Sequence, residues 1–319
     1  MLKKLKNRIL ISIAFAGFIY LAFTVYFDFD KVILSFENFN WWLLPILLLL
    51  SLGNYFSRFF KWQYYLRIIQ VKIPFKDSLS IFMSGLIMSV TPGKFGELLK
   101  SYLVKQLNNT PISKTAPIIF AERTTDFLSL TIMALIGAYF FNYGTDIVIA
   151  IAVLIILGLL IVTNKKLSEK ILIAFSKIKF LEKHVSKLYN AYESSFRLLS
   201  FIPLVSMTLF SIISWGFECL GYYFILAHFK FDIGLNWAFF SYSFSTIVGA
   251  VSMLPGGLGV TEGSLTLMIM KQGLSASDAF ASTFIVRAVT LWFAVLIGAI
   301  SLLFYQKRFG NISADLPKK

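Results

Sequence analysis

Two apolar stretches of this sequence, residues 78–104 and 237–271, are each interrupted near the middle by Pro and Gly: Pro92-Gly93 in one, Pro255-Gly256-Gly257 in the other. Proline lacks the backbone donor and clashes with the turn before it, so a helix breaks at each point. In hydrocarbon the freed backbone groups have no water to bond, and such a break is tolerated only where it faces protein or a wet cavity. The surroundings are hydrocarbon by composition: 57% of the 319 residues are hydrophobic and 14% charged, against about 25% charged in soluble domains. Other elements must therefore gather around both breaks.

Six further stretches, 9–27, 41–57, 116–141, 147–163, 201–229 and 279–305, have the length and apolarity of crossing helices. The first follows Lys3, Lys4, Lys6 and Arg8, as a signal peptide would, but its apolar run is long and no small-residue cleavage pattern follows. It reads as a retained anchor. Net charge is +14, which in a soluble chain would suggest nucleic acid; here it reads as topology, because Lys and Arg collect in cytoplasmic loops. On that rule the N-terminus, 58–77 (Arg58, Lys61, Arg67, Lys72, Lys76), 105–115, 164–200 and the tail (Lys307, Arg308, Lys318, Lys319) are inside. Segments 28–40 (Asp28, Asp30, Glu37) and 142–146 are outside, and the turn 230–236 is neutral. The expectation is an all-α polytopic protein of the cytoplasmic membrane with both termini cytoplasmic, six crossing helices and two broken re-entrant hairpins dipping in from opposite faces.

The breaks resemble each other. Ser89, Pro92, Gly93 and Gly96 match Ser252, Pro255, Gly256 and Gly259 at one offset, with Glu97 and Glu262 close behind. Each hairpin precedes a crossing with an Arg near its start, Arg123 or Arg287, and a later Leu-Ile-Gly-Ala, at 135–138 and 296–299. An inverted-topology repeat produces this pattern and places a substrate site where the broken helices meet. Within one transmembrane domain, 1–319, the halves would be 41–141 and 201–305, joined by an outer crossing at 147–163 and the basic segment 164–200. That segment reads as a membrane-surface helix or a partner-binding one.

The candidate site follows. Pro92 and Pro255 suit the first turn of a half-helix, whose free N–H groups and positive dipole end attract an anion. Thr91 sits at the first break, and Gly93, Gly96, Gly256, Gly257 and Gly259 let a ligand or a helix approach the backbone. Lys94, Glu97 and Lys100 lie in or just after the first break. Glu122 and Asp126, four apart, share a helix face beside Arg123. Arg287 stands alone in an apolar crossing and needs an acid, Glu97 or Glu262 by position. Two readings are open: Lys94, Arg123 and Arg287 ring an anionic headgroup while Glu97 and Glu262 balance charge or take a proton, or the set is a buried network fixing helix register. Glu218 is a lesser candidate.

Other chemistries lack their motifs. There is no phosphate loop, since Gly93-Lys94 is followed by Phe95, and no H-E-x-x-H or G-x-S-x-G. Cys219 is the sole cysteine, which excludes an intrachain disulfide. His184 and His228 are too few for a His-rich metal site. No cofactor or metal is expected.

Thr91-Pro-Gly-Lys-Phe-Gly-Glu97, Glu122-Arg-Thr-Thr-Asp126, Leu254-Pro-Gly-Gly-Leu-Gly-Val-Thr-Glu262 and Arg287 together resemble the transmembrane region of bacterial lysylphosphatidylglycerol synthases, a flippase-like family with stand-alone members. The resemblance implies a lipid translocator. In two-part members a separate soluble domain transfers the amino acid; after Phe304 only fifteen residues follow here, so lysyl transfer by this chain alone is not expected. Lys94 stands where the family often has Arg, a change that keeps charge and loses the bidentate fork. The expected ligand is a membrane lipid with an anionic or phosphate-bearing headgroup. The alternative is a membrane-embedded enzyme, with Glu97, Glu122 or Asp126 as acid or base, or an accessory subunit in headgroup modification or lipid-linked glycan synthesis. A membrane-bound partner enzyme and a homo-oligomer are both compatible with the sequence.

Overall fold

A computed structural model describes residues 2–166, 168, 170, 185–229 and 234–310. Every regular element among them is helical. Helix α1 (Leu2–Tyr26) and the short α2 (Phe29–Glu37) precede α3 (Leu44–Ile68), which a 3-10 turn at Trp41–Leu43 extends backwards. The first broken segment is α4 (Phe75–Gly85), two 3-10 turns (Leu86–Val90 and Pro92–Leu98) and α5 (Leu99–Asn108). Then come α6 (Ile112–Phe141), α7 (Thr145–Thr163), α8 (Val185–Leu198) and α9 (Phe201–His228). The second broken segment is α10 (Leu235–Val251), a 3-10 turn at Pro255–Gly257 and α11 (Val260–Met270). Helix α12 (Ala276–Arg287) continues through a π-helical turn, Ala288–Trp292, into α13 (Phe293–Phe309).

Among the described residues, five helical stretches are long and apolar enough to cross a membrane: Trp41–Ile68, Ile112–Phe141, Thr145–Thr163, Phe201–His228 and Ala276–Phe309. The chain is a multi-pass integral membrane protein. In α1 the apolar part is the shorter Ala14–Tyr26. Residues 171–184, with His184, residues 230–233 of the expected neutral turn, and the tail from 311, with Lys318 and Lys319, lie outside the described residues.

Two segments read as loops are helices. Residues 28–40 hold α2, whose Val32 and Ser35 are buried; Ser35 donates to Asp278 at the start of α12 (2.7 Å). More consequentially, the crossing at 41–57 does not stop at Arg58. It runs eleven residues further, because Phe59, Trp62, Tyr65 and Leu66 keep a buried apolar stripe going and nothing between breaks the helix. Arg58 and Lys61 are thereby drawn into the protein interior.

Helix α3 lies along α9, α6 along α10, and α13 along α4. Without a hydrophobic drive between helices in lipid, such contacts rely on close packing and interhelical hydrogen bonds. Asn54 Nδ2 of α3 donates to the Ser214 carbonyl of α9 (2.7 Å), and Ser57 and Ser214 share a hydroxyl contact of 2.6 Å. At the α13–α4 contact the backbone of Leu86 and Ile87 rests directly on Gly298, where any side chain would collide with it. The π turn leaves carbonyls that ordinary helix bonding would use. Ser51 and Tyr55 of α3 bind two of them, at Val289 (2.7 Å) and Thr290 (2.6 Å). Helix α8 packs on α6 and α7, so the described end of the basic segment is docked against the helices. In α7 only Val148 is buried.

Candidate functional site

The first break is centred on Thr91, whose extended backbone separates the two 3-10 turns. Pro92 opens the second turn, where its missing N–H costs nothing. Thr91 Oγ1 donates to the Met88 carbonyl (2.6 Å) and accepts from Gly96 N–H (3.1 Å), replacing part of the interrupted helical bonding. The second break uses left-handed backbone: Gly256, Gly257 and Gly259 have φ of 61°, 69° and 83°, a region glycine enters without steric cost. The two breaks touch. Ser89 and Val90 lie beside Gly256, and Val90, Leu258, Leu291 and Val295 form a small apolar cluster between them.

A cavity of about 260 Å³ opens beside this contact. Ser89 and Thr91 of the first break and Gly256 and Gly257 of the second are in its wall. Three arginines line it, Arg58 of α3, Arg123 of α6 and Arg287 of α12, with the carboxylates of Asp126 and Glu218. Trp215, Tyr55 and Tyr242 supply aromatic surface.

Around the second break the polar groups form a closed clamp. Arg287 Nε donates to Glu262 Oε1 (2.6 Å) and Nη2 to the Gly256 carbonyl (2.6 Å). Glu262 Oε2 accepts from Gly259 N–H (2.7 Å), and Oε1 also accepts from Tyr20 of α1 (3.1 Å), which is itself bound by Trp292 Nε1 (3.1 Å). Glu262 is fully buried. The helix end expected to receive an anion is thus already capped by its own Glu262, and Arg287 is the part of the clamp that reaches the cavity. Of the two acids open to Arg287 by position, Glu262 is its partner.

Around the first break the charges form a spread network. Lys61, 2% exposed, binds Asp126 Oδ1 (2.8 Å), Ser211 Oγ (2.5 Å) and the Glu122 carbonyl (3.3 Å). Lys100, 3% exposed, binds Glu122 Oε2 (2.5 Å) and lies 5.0 Å from the ring centre of Trp62 and 5.1 Å from that of Phe82. The arginines are held at longer range. Arg123 Nη2 is 3.3 Å from both Glu97 Oε2 and Asp126 Oδ2, and its Nε and Nη2 find no hydrogen bond among the described residues; Arg58 Nη2 is 3.4 Å from Asp126 Oδ2. Here the lysines neutralise buried carboxylates, as ionisable groups in lipid require, and the arginine forks remain able to turn toward the cavity.

Of the residues expected from sequence, Thr91, Arg123, Asp126, Gly256, Gly257 and Arg287 line the cavity. Glu97 and Glu122 stand behind it as partners of Arg123 and Lys100, and Glu262 as the partner of Arg287. Pro92, Gly96, Pro255 and Gly259 shape the backbone of the breaks and are not among the described residues that line the cavity, and Gly93 sits in the second 3-10 turn of the first break. The side chain of Lys94 lies outside the described residues. Arg58, Lys61, Tyr55 and Tyr242 were not singled out from sequence. A signal existed for α3: Asn54, Arg58 and Lys61 recur at helical spacing on one face of a stretch rich in aromatic residues. Glu218 accepts from Tyr242 Oη (2.6 Å) as well as lining the cavity.

This arrangement belongs to a chain with clear relatives. Residues 9–298 match the family described as the lysylphosphatidylglycerol synthase TM region. A UPF0104 membrane protein of Methanocaldococcus jannaschii is 29% identical over 220 residues, covering 67% of this chain and 92% of its own length. A UPF0104 membrane protein of Pyrococcus horikoshii is 24% identical over 275 residues, covering 77% and 82%. A second from M. jannaschii is 23% identical across 96% of this chain and 97% of its own. With the match extending over both breaks and both arginine-bearing crossings, the chain is a member of the lysylphosphatidylglycerol synthase transmembrane-region family.

Proposed function

We propose that this protein is a lipid translocase, moving a lipid with a polar, phosphate-bearing head between the leaflets of the cytoplasmic membrane. The observation that carries the reading is the cavity shared by the two breaks, with the guanidinium groups of Arg58, Arg123 and Arg287 on its wall. Arginine forks match phosphate oxygens in pairs, and a cavity of about 260 Å³ admits a headgroup but not acyl chains. The acyl chains would stay in lipid while the head passes.

Alternating exposure needs two halves that rock about the site. In support, helix pairings repeat across the halves: α3 meets α9, and the α4–α13 contact has its counterpart in α10–α6. The glycines of the two Leu-Ile-Gly-Ala segments take part, Gly298 against the first broken segment and Gly137 against Phe240 of the second. On this reading α1 is the sixth crossing, the broken segments re-enter from opposite faces, and both termini are cytoplasmic. Transport would run downhill or be coupled to an ion gradient. Glu97, Glu122 and Asp126 are each ion-paired, which favours charge balancing over acid–base catalysis.

The test is a vesicle assay. Protein reconstituted with fluorescent or aminoacylated phospholipids should flip them, and Arg287→Ala and Glu262→Gln should flip them more slowly per amount of folded protein. Equal rates in all three proteins would reject the roles of Arg287 and Glu262, and a wild type that flips none of these lipids would reject the translocase.

A further inference from the structure

A second concavity, of about 690 Å³, lies where α3 turns into α4, lined by Phe60, Gln63, Arg67, Gln70, Lys72 and Phe75 among others. It is separate from the central site. Phe60, Gln63 and Arg67 share one stripe of α3, and Asn54, Arg58 and Lys61 the opposite one. The side chains of Gln63, Arg67, Gln70 and Lys72 make no hydrogen bond or ion pair with other described residues. Arg67, Gln70, Lys72 and Phe75 are exposed. The nearest acid in sequence, Asp77, is buried and engaged by Arg308 at 3.0 Å, so it does not neutralise them.

Length fixes the depth of this groove. The stretch Trp41–Ile68 has 28 residues and rises about 42 Å at 1.5 Å per residue, more than the roughly 30 Å of hydrocarbon. Trp41 and Trp42, 49% and 88% exposed, mark one interface. Hydrocarbon ends about 20 residues later, near Trp62, so the groove lies among headgroups on the other side.

The backbone there is unusual. Gln70 N–H donates to the Arg67 carbonyl (3.0 Å) and Val71 N–H to that of Leu66 (2.9 Å), a helix ending whose left-handed residue is generally glycine. Here it is Gln70, φ 55°, and Gln70 lines the groove. A side chain is kept at a position that favours having none.

We infer that this groove binds the phosphodiester headgroup of an anionic membrane lipid: Arg67 and Lys72 meet the phosphate, the amides of Gln63 and Gln70 bond its oxygens or its polar substituent, and Phe60 and Phe75 flank the acyl–glycerol junction. Basic pockets at the ends of spanning helices hold anionic headgroups in this way. The test is native mass spectrometry of the whole protein in detergent, titrated with phosphatidylglycerol or phosphatidylcholine. Two cations near a membrane surface are together worth about 30-fold, so the wild type should retain phosphatidylglycerol preferentially, and the Arg67→Gln/Lys72→Gln pair should lose about that preference. Gln70→Gly should melt at the same or a higher temperature yet retain less phosphatidylglycerol, a combination that a purely structural role for Gln70 does not give. Unchanged preference in the double variant overturns the inference, as does a preference abolished by Arg123→Gln alone. Equal occupancy by sn-glycerol 3-phosphate, with no gain from phosphatidylglycerol, overturns the lipid as the source.

Discussion

The two breaks face the same difficulty, interrupted helical backbone in an apolar stretch, and meet it in opposite ways. At Pro255–Gly257 the answer is local and saturated: one arginine, one glutamate and one tyrosine bind each other and the broken backbone at 2.6 to 3.1 Å. At Pro92–Leu98 a threonine hydroxyl bridges the backbone. The charges beside it form a network in which the lysines bind tightly and the arginines sit at 3.3 to 3.4 Å from their carboxylates. The difference separates a fixed wall from one that can adapt. On the proposed function, a headgroup entering the cavity has little to gain by disturbing Arg287, whose Nε and Nη2 already bond protein atoms. It has more to gain from Arg123 and Arg58, which can turn to it while Lys61 and Lys100 continue to neutralise Asp126 and Glu122.

The largest effect should come from opening the clamp. Removing one member of a buried ion pair leaves an uncompensated charge and costs about 3–5 kcal/mol, whereas replacing both by apolar residues of similar size is often neutral. Arg287→Met should therefore abolish most folded protein in a thermal melt in detergent. Arg287→Met combined with Glu262→Met should recover much of the melting temperature but not flipping. If the double variant also flips at the wild-type rate, the second break is scaffold only.

The adaptable side is tested by Arg123→Gln. Asp126 keeps Lys61 and Arg58, and Glu97 keeps Lys100 at 3.6 Å, so no carboxylate is left alone and stability should fall by less than the roughly 3–5 kcal/mol of a broken buried pair. Flipping, or binding of a phosphate-bearing lipid, should drop about 10- to 100-fold, since charge-assisted contacts to a phosphate carry about 1.5–3 kcal/mol. Arg123→Lys should restore little of it, because an ammonium lacks the paired geometry. A stability loss as large as that of Arg287→Met would erase the contrast between the two breaks.

How much of this was legible in the sequence depends on what each residue contrasts with. Pro92 and Pro255 stand out against apolar neighbours, and Arg287 is a lone charge in a crossing, so the breaks and the need of Arg287 for an acid could be read directly. Choosing Glu262 over Glu97 could not, because that depends on which break α12 approaches. Arg58 and Lys61 were hidden by a rule that is sound on average: basic residues at the end of an apolar run mark a loop. They fail it because the helix continues, and the aromatic residues from Phe59 to Tyr65 were the available warning. Glu218 could be noticed as the lone acid of an apolar crossing, whereas Tyr242 comes from a helix apolar on nearly every side, where sequence gives no indication of which face meets a cavity.

The smallest effect should be the most discriminating, because it concerns what holds the clamp to α1. Tyr20 is the only residue of α1 among the described hydrogen bonds to the second break, donating to Glu262 at 3.1 Å while accepting from Trp292 at 3.1 Å. Tyr20→Phe keeps the ring packed against Phe284, 5.0 Å between centres, and removes only the hydroxyl. Glu262 retains Arg287 and Gly259 N–H, so the loss should be about 1 kcal/mol, that of one hydrogen bond, visible as a small drop in melting temperature. If the second break is a fixed wall, flipping should stay within about twofold of wild type. A large change in rate with little change in stability would mean instead that α1 moves with the second break during transport, and that the rigid half of the site extends to the first helix of the chain.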